Sequence, residues 1–567
     1  MPARPERRQR DRRCATCMRS GQETGKDNED MDTRATNDAA APAPYDVIIV
    51  GYGPTGATLA NLLGLRGFTV AVVDKLPDVY DKPRAITADH EVMRIFQACG
   101  LADEISADTI PHPGTDYIGL HDQVIKRFYP APAPHPLSWE PTWMFVQPTL
   151  ERSLRRGVER FDTVHTYLAH ELVRYEEREE DVVVHLNRLS DDRPVTLRGR
   201  YLVGSDGARS VVRRQMNGTI EDLAFDEWWI VVDAWLRGDA GLPPRATQYC
   251  HPWRPGSFIV GPGDLRRWEI KILPDERPES FESRERLLEV LSHFVDVSMI
   301  EIHRVAIYRF HALVVEDWGH RRVFLMGDAA HQTPPFMGQG MCAGIRDADN
   351  FAWKLEGVMR RGYHPRLLHS YTQERKPHVR TLVAHAKTFG QIIGELDLEA
   401  ARRRDELLGE QLRNGTAETI RQKFVPGLET GVLGRRADGT LACGAGDLFV
   451  QPWVRSGTQR VRMDDCLGRS FSLVLADAQA LEWIDARVQQ ALQRVGASVV
   501  LLGQAPGVRC CEEEGHLARD WFRERGARVA LVRPDHYAFG CADDPAALRE
   551  LCDQLVAALV EEPAMAA

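Results

Sequence analysis

From residue 45 onward the chain falls into short apolar runs separated by glycine-rich or charged turns. Tyr45-Asp46-Val47-Ile48-Ile49-Val50 is a short β-branched run that reads as a buried parallel strand. Gly51-Tyr52-Gly53-Pro54-Thr55-Gly56 follows at once; Ala57 to Leu65 then predicts a helix, and Phe68 to Val73 a second strand ending at Asp74. Arg200 to Gly204 and Arg322 to Met326 are further strands, running into Ser205-Asp206-Gly207 and Gly327-Asp328. Between 221 and 310 the pattern predicts strands over Trp228 to Trp235, Trp268 to Leu273 and Val305 to Phe310, rich in Trp, Tyr, His and Arg. Glu399 to Leu412 is a charged helix, and a separate module starts at Ala437. In it, Ser498 to Leu502 is a strand, His516 to Arg525 a helix closed by Gly526, Arg528 to Val532 a strand, Arg533 to Tyr537 a turn, and Pro545 to Val560 a final helix. The whole is an α/β pattern with an α+β middle sheet.

Composition narrows the picture. At 567 residues the chain exceeds one core and predicts roughly two or three domains. A net charge of −10 argues against a nucleic-acid surface. There is no apolar run of about eighteen residues, so no membrane span is expected. The cysteines, 11 and scattered, suit a reducing, cytoplasmic setting. The first 44 residues combine a basic stretch, Arg4 to Arg13, an acidic one, Asp27 to Asp32, and an Ala/Pro linker, and predict a disordered tail. Cys14 and Cys17 have metal spacing but lack a second pair, and Met31 is an alternative start. Metal-ligating motifs are missing from the body of the chain, so no metal is expected.

The first glycine cluster has a physical reading. Gly51 permits a tight turn, Gly53 lets backbone N–H groups approach phosphate oxygens, and Gly56 lets the helix pack on the strand. Pro54 and Thr55 open that helix, whose positive end faces the pyrophosphate. Asp74, followed by Lys75, is placed to accept hydrogen bonds from ribose hydroxyls. Only one such fingerprint occurs, so no second Rossmann-type nucleotide domain is expected.

These segments, with Ser210 and Arg213 beyond Asp206-Gly207, resemble the three fingerprints of the single-component flavoprotein aromatic hydroxylases, the group of para-hydroxybenzoate hydroxylase and phenol hydroxylase. Pro334 to Leu355, Lys82-Pro83-Arg84-Ala85, Trp229 to Asp233 and Arg266-Arg267-Trp268-Glu269 are similar to the 3-(3-hydroxyphenyl)propionate hydroxylase branch, over residues 45 to 400. Cys342 stands where many relatives carry Asn. The resemblance implies FAD as cofactor, with NAD(P)H and O2 as co-substrates, and oxygen transfer from a flavin C4a-hydroperoxide to a phenolic ring. It implies that Asp328 holds the ribityl chain, that Asp206-Gly207 supports flavin and nicotinamide, and that Arg84 and Gln147 hold the flavin or its phosphates. Pro334, Gly338, Gly340 and Met341 would form the wall beside the flavin ring, with His331 ordering the flavin loop.

The resemblance also sets the expected domains: an FAD-binding domain at 45–116, 143–220 and 311–400, and a substrate domain at 117–142 and 221–310. A helical linker, 401–436, leads to 437–567, which looks like the thioredoxin-like tail of phenol hydroxylase and polyketide hydroxylases. Its redox CxxC is missing, since Cys510 and Cys511 are adjacent, so a structural or homodimer-forming role is expected. From the middle segment, Tyr308 is chosen to assist phenol ionisation, His251 or His311 as its polar partner, and Arg254 as a carboxylate anchor. As plain structure, Trp228 and Trp229 would be sheet packing, and Arg266 and Arg267 solvated. The expected substrate is a small phenolic acid met in aromatic catabolism. Alternatives are a larger polycyclic or polyketide phenol, or an oxygen-independent flavin reductase; a halogenase is disfavoured because its WxWxIP motif is absent.

Overall fold

A computed structural model describes residues 43–82 and 84–560. Readings that concern the tail, including Cys14, Cys17 and Met31, and Pro83 itself, lie outside the described residues.

The apolar runs form the centre of a parallel sheet. Tyr45–Val50 lies between Arg193–Gly204 and Val70–Asp74, with Val47 opposite both Tyr201 and Val70. Val323–Leu325 extends the sheet on one side and Val164–Leu168 on the other. Val47, Ile48 and Ile49 are wholly buried because both faces are covered, as an uninterrupted apolar strand requires. The first helix runs Pro54–Gly64, starting at the fingerprint rather than after it. The long helix Gly340–Arg360 packs beside it.

The middle segment forms a second sheet built on two long antiparallel strands, Ile220–Leu236 and Ile300–Val315, each well beyond its expected limits. Leu265–Lys271, Gly256–Val260, Ala246–Tyr249, Thr115–Ile118 and Val124–Phe128 complete it in that order. Its faces differ. Ile230, Val232, Phe258, Trp268 and Ile270 pack on one side with Leu287 and Leu291 of the helix Arg284–Leu291. The alternate residues face the other way, toward the first sheet's ligand end.

Beyond the helix Leu398–Arg413, the C-terminal module centres on the parallel strands Ser472–Leu475 and Ser498–Leu502 and the antiparallel hairpin Val529–Val532 and Ala538–Ala542. Helices Ala486–Arg494, Leu517–Glu524 and Pro545–Leu559 cover it, a thioredoxin-like arrangement. The strand Ser472–Leu475 and the helix Ala486–Arg494 escaped the pattern reading. The module is joined to the rest through buried charges. Glu374 accepts from Arg533 at 2.7 Å and lies 2.7 Å from Lys354 Nζ; Arg533 also binds Asp535, which accepts from Asn350 and Trp353. Among the described residues no helix is long and apolar enough to cross a membrane.

Candidate active site

Three turns meet at the carboxyl ends of the parallel strands, where open α/β sheets take ligands. Gly51 has φ +106°, and a Cβ there would stand 2.2 Å from the Ser205 carbonyl oxygen. A Cβ on Gly56 would meet the Gly51 oxygen at 2.0 Å, and one on Gly344 would come within 2.3 Å of Thr55 Oγ1. At Gly51 and Gly56 backbone meets backbone, and at Gly344 the long helix packs on the Thr55 side chain. At Gly53, Gly207 and Gly340, by contrast, an added Cβ would find nothing within 4 Å. The latter three line one cavity, so the fingerprints form a cradle whose inner glycines leave room beside the backbone, as a bound dinucleotide requires.

The helix Pro54–Gly64 has no side-chain cap, which leaves its first N–H groups for an anion. Asp74 is fixed beside it by accepting the N–H groups of Tyr52 at 2.7 Å and Leu76 at 2.8 Å. Lys75 is exposed. At the start of the helix Val211–Met216, whose N-cap is Ser210, Asp206 accepts the Val211 N–H at 2.7 Å. Its other oxygen is buried without a hydrogen-bond partner among the described residues, and burial raises its pKa. A ligand hydroxyl would satisfy that acceptor.

Arg213 ties the second turn to the third, donating to the backbone oxygens of Asp328 at 3.3 Å and Ala329 at 3.0 Å. Asp347 Oδ2 accepts the Gly327 N–H at 3.0 Å and hydrogen-bonds His331 at 2.8 Å, so His331 orders this turn. Asp328 lines the cavity and is open to it. Burial raises its pKa, against the pull of His331, Arg84 and Arg213.

Gln147, first residue of the helix Gln147–Val158, accepts the N–H groups of Arg84 at 3.0 Å and Ala85 at 2.5 Å and so holds the Arg84 loop. Arg84, Gln147, Gly338, Gly340 and Met341 all line the cavity; Pro334 does not, and Pro335 takes its place. Gly338 has φ +59°, and a Cβ there would collide with Thr87 Oγ1 at 2.0 Å. Behind the wall, Arg346 donates to Gln339 at 3.0 Å, to Asp89 at 2.5 Å and to Glu91, which accepts the Tyr537 hydroxyl at 2.8 Å.

The second sheet supplies the opposite wall of this cavity, which measures about 400 Å³. Register places Ala306, Val231, Glu269, Ser257, Gln248 and Tyr117 in one row across adjacent strands, with Arg304, Asp233, Arg267 and Ile259 in the next. Asp233, wholly buried, accepts from Arg267 at 2.7 Å and Arg304 at 3.2 Å. Arg304 also donates to the Tyr308 hydroxyl, and Arg267 to the Arg84 carbonyl at 2.6 Å, which links the sheet to the Arg84 loop. Phe310 and Phe336 close the cavity, both packed on Trp229.

Tyr308 lines the cavity as expected of a site residue, but its expected companions do not. Arg254 is held at two points by Glu276, both at 2.7 Å, and lies outside the lining; a guanidinium so engaged is no substrate anchor. His251 stacks on Trp253 with centroids 4.6 Å apart, and His311 lies 3.6 Å from Asp226; neither reaches the cavity. Arg267 is not solvated but 2% exposed. The signal was present in Arg267-Trp268-Glu269, since two charges flanking a tryptophan in a strand must share the face that Trp268 avoids. Arg421, from the region read as linker, also lines the cavity, with no hydrogen-bond or ion-pair partner among the described residues. Burial lowers its pKa. Next to it, His112 is kept neutral, pushed down to about 3 by burial and by Arg421.

A dinucleotide cradle opening on an aromatic-walled cavity beneath a second sheet defines a flavin-dependent oxidoreductase. The FAD binding domain family matches residues 44–386, and the HcaD C-terminal domain family matches 446–558. A probable NADH-specific resorcinol 4-hydroxylase of Rhodococcus jostii strain RHA1 is 31% identical over 94% of this chain and 98% of its own. A 3-(3-hydroxy-phenyl)propionate/3-hydroxycinnamic acid hydroxylase of Burkholderia vietnamiensis is 32% identical, covering 90% and 96%. Among solved structures, the flavin-dependent monooxygenase PieE superposes with TM-score 0.77 at 22% identity, covering 91% of this chain and 99% of that one. Aklavinone-11 hydroxylase gives 0.74 at 22% identity, covering 92% and 99%. The chain belongs to the family of FAD-dependent aromatic hydroxylases, monooxygenases that use NAD(P)H and dioxygen.

Proposed function

We propose that this protein hydroxylates a one-ring phenol bearing a short carboxylic side chain, a 3-(3-hydroxyphenyl)propionate-like acid of aromatic catabolism. Arg421 carries the reading. A guanidinium that faces a cavity without a protein partner has been desolvated for a ligand anion, and a charge-assisted bond of that kind contributes about 1.5–3 kcal/mol. The cavity of about 400 Å³ must hold both the flavin's ring end and the substrate, which favours one ring over several. The name of the Burkholderia relative supports the same substrate class.

FAD supplies the redox and oxygen-activating chemistry when bound. Gly51, Gly53, Pro54, Thr55 and Gly56 would hold its pyrophosphate, Asp74 and Lys75 its ribose end, and Asp206, Gly207 and Asp328 the remainder of its chain. Arg84, held by Gln147, and Gly338, Gly340 and Met341 would border the ring. Arg421 binds and orients the acid, Phe310 and Phe336 exclude water, and the Tyr308 hydroxyl meets the polar end of the substrate.

The test is a panel of phenolic acids and neutral phenols, resorcinol included, scored for accelerated NADH and NADPH oxidation and for hydroxylated product by mass. Acids should bind at least tenfold more tightly than their neutral counterparts. Equal affinity for both would overturn the substrate assignment.

A further inference from the structure

Glu269 is a carboxylate in an unusual position. It is 5% exposed and stands in the row of the sheet that faces the cavity, between Val231 and Ser257. Its nearest charged neighbour is Arg267, at 4.0 Å, and among the described residues no donor reaches it within hydrogen-bond distance. The acid beside it is engaged: Asp233 takes both Arg267 and Arg304. A buried carboxylate without a donor is costly unless a ligand completes it. Ser257, its neighbour, donates to Gln248 and so does not compete for it.

We infer that Glu269 accepts the proton of the substrate's phenolic hydroxyl, an inference that rests on the phenol-hydroxylase reading. The phenol O–H bond breaks as a carboxyl O–H bond forms on Glu269. The electron pair stays on the phenolic oxygen and is shared with the ring carbon to be hydroxylated. Nothing is oxidised in this step. When the dearomatised product regains its ring, the carbon that took the hydroxyl loses its C–H proton to solvent while the carboxyl returns its own proton to the phenolic oxygen, so Glu269 ends as it began.

The row separates the two ends of the substrate. Tyr117, beside Arg421, lies three strands from Glu269, roughly 14 Å at the usual strand spacing. Flanking Glu269 are Arg267 on its own strand, Asp233 on one neighbour, and Arg304 and Tyr308 on the strand beyond; Arg84, His112, Tyr117, Asp328 and Arg421 are the charged or titratable groups elsewhere in the lining. Burial pushes its carboxyl up to about 7, with Asp233 adding to the rise and Arg267 and Arg304 opposing it. Its ionised form, the one able to take a proton, therefore grows as pH rises through about 7.

The experiment compares wild type and Glu269→Gln in the FAD holoenzyme, with a parent phenolic acid and a ring-fluorinated one that is ionised before it binds. With the parent, hydroxylation should fall on the order of 100-fold in the variant, with substrate affinity, read from the flavin absorbance change, within a few-fold. The loss should shrink at least tenfold for the fluorinated acid, and the wild-type acid limb near pH 7 should flatten with it. Equal losses for both substrates, or an acid limb unmoved by fluorination, would overturn the inference while leaving the phenol reading intact. If wild type hydroxylates no phenol, that reading falls and this one with it. Should Glu269→Gln lose its flavin, the wild-type pH profiles of the two acids decide the matter alone.

Discussion

Two buried charge clusters in this molecule are built to opposite rules. In the one joining the long helix to the C-terminal module, Glu374 meets Arg533 and Lys354, and Asp535 meets Arg533. In the one facing the cavity, Glu269 has only a 4.0 Å approach to Arg267, and Arg421 has no partner among the described residues. Titration follows the pairing. The two cations hold Glu374 down at about 2 despite its burial, whereas burial lifts Glu269 to about 7. A completed cluster is an interior joint; an incomplete one is a receptacle.

Breaking the joint should have the largest effect. Glu374→Ala strands Arg533 and Lys354 in the interior, and should cost about 3–5 kcal/mol in chemical denaturation. The two clusters should also answer acid differently. Glu374, depressed from 4.5 to about 2, stabilises the fold above pH 4.5, and that contribution is lost as pH falls through 2. Glu269, raised from 4.5 to about 7, works in the other direction: protonation between pH 7 and 4.5 relieves its burial. Glu374→Gln should therefore flatten the stability curve below pH 4.5, and Glu269→Gln the stretch above it. Next in size is Arg421→Met, which should weaken binding of the acid by roughly 10- to 100-fold without lowering thermal stability, since no hydrogen bond or ion pair to the protein is lost. Tyr308→Phe should be smallest, about 1 kcal/mol or less than tenfold in coupled hydroxylation, because the Arg304–Asp233 pair survives it. Unchanged rate and coupling in that variant would remove Tyr308 from the site.

The nucleotide half of the site was legible because its requirements are local. A tight turn, a close approach and a helix start each restrict the residue in place, and Gly51, Gly53 and Gly56 record those limits in the sequence. The substrate half was poorly legible because it is assembled from register. His251, His311 and Arg254 have suitable chemistry, but Arg254 is taken by Glu276, and the two histidines face away from the cavity. Arg421 was invisible for a different reason: it comes from a short irregular segment after a charged helix, where no periodicity says which way a side chain points. The strand Ser472–Leu475 was missed because four residues are too few to carry a period.

The hydrogen-bonded line from Tyr537 through Glu91 and Arg346 to Gln339 ends between Gly338 and Gly340. Though last in the chain, the tail is thus anchored one residue from the reaction chamber. Exchanging it for a homologue's tail would be surgery on the cavity wall at Gly338 and Gly340, and chimeras that ignore this line should fold yet waste reductant.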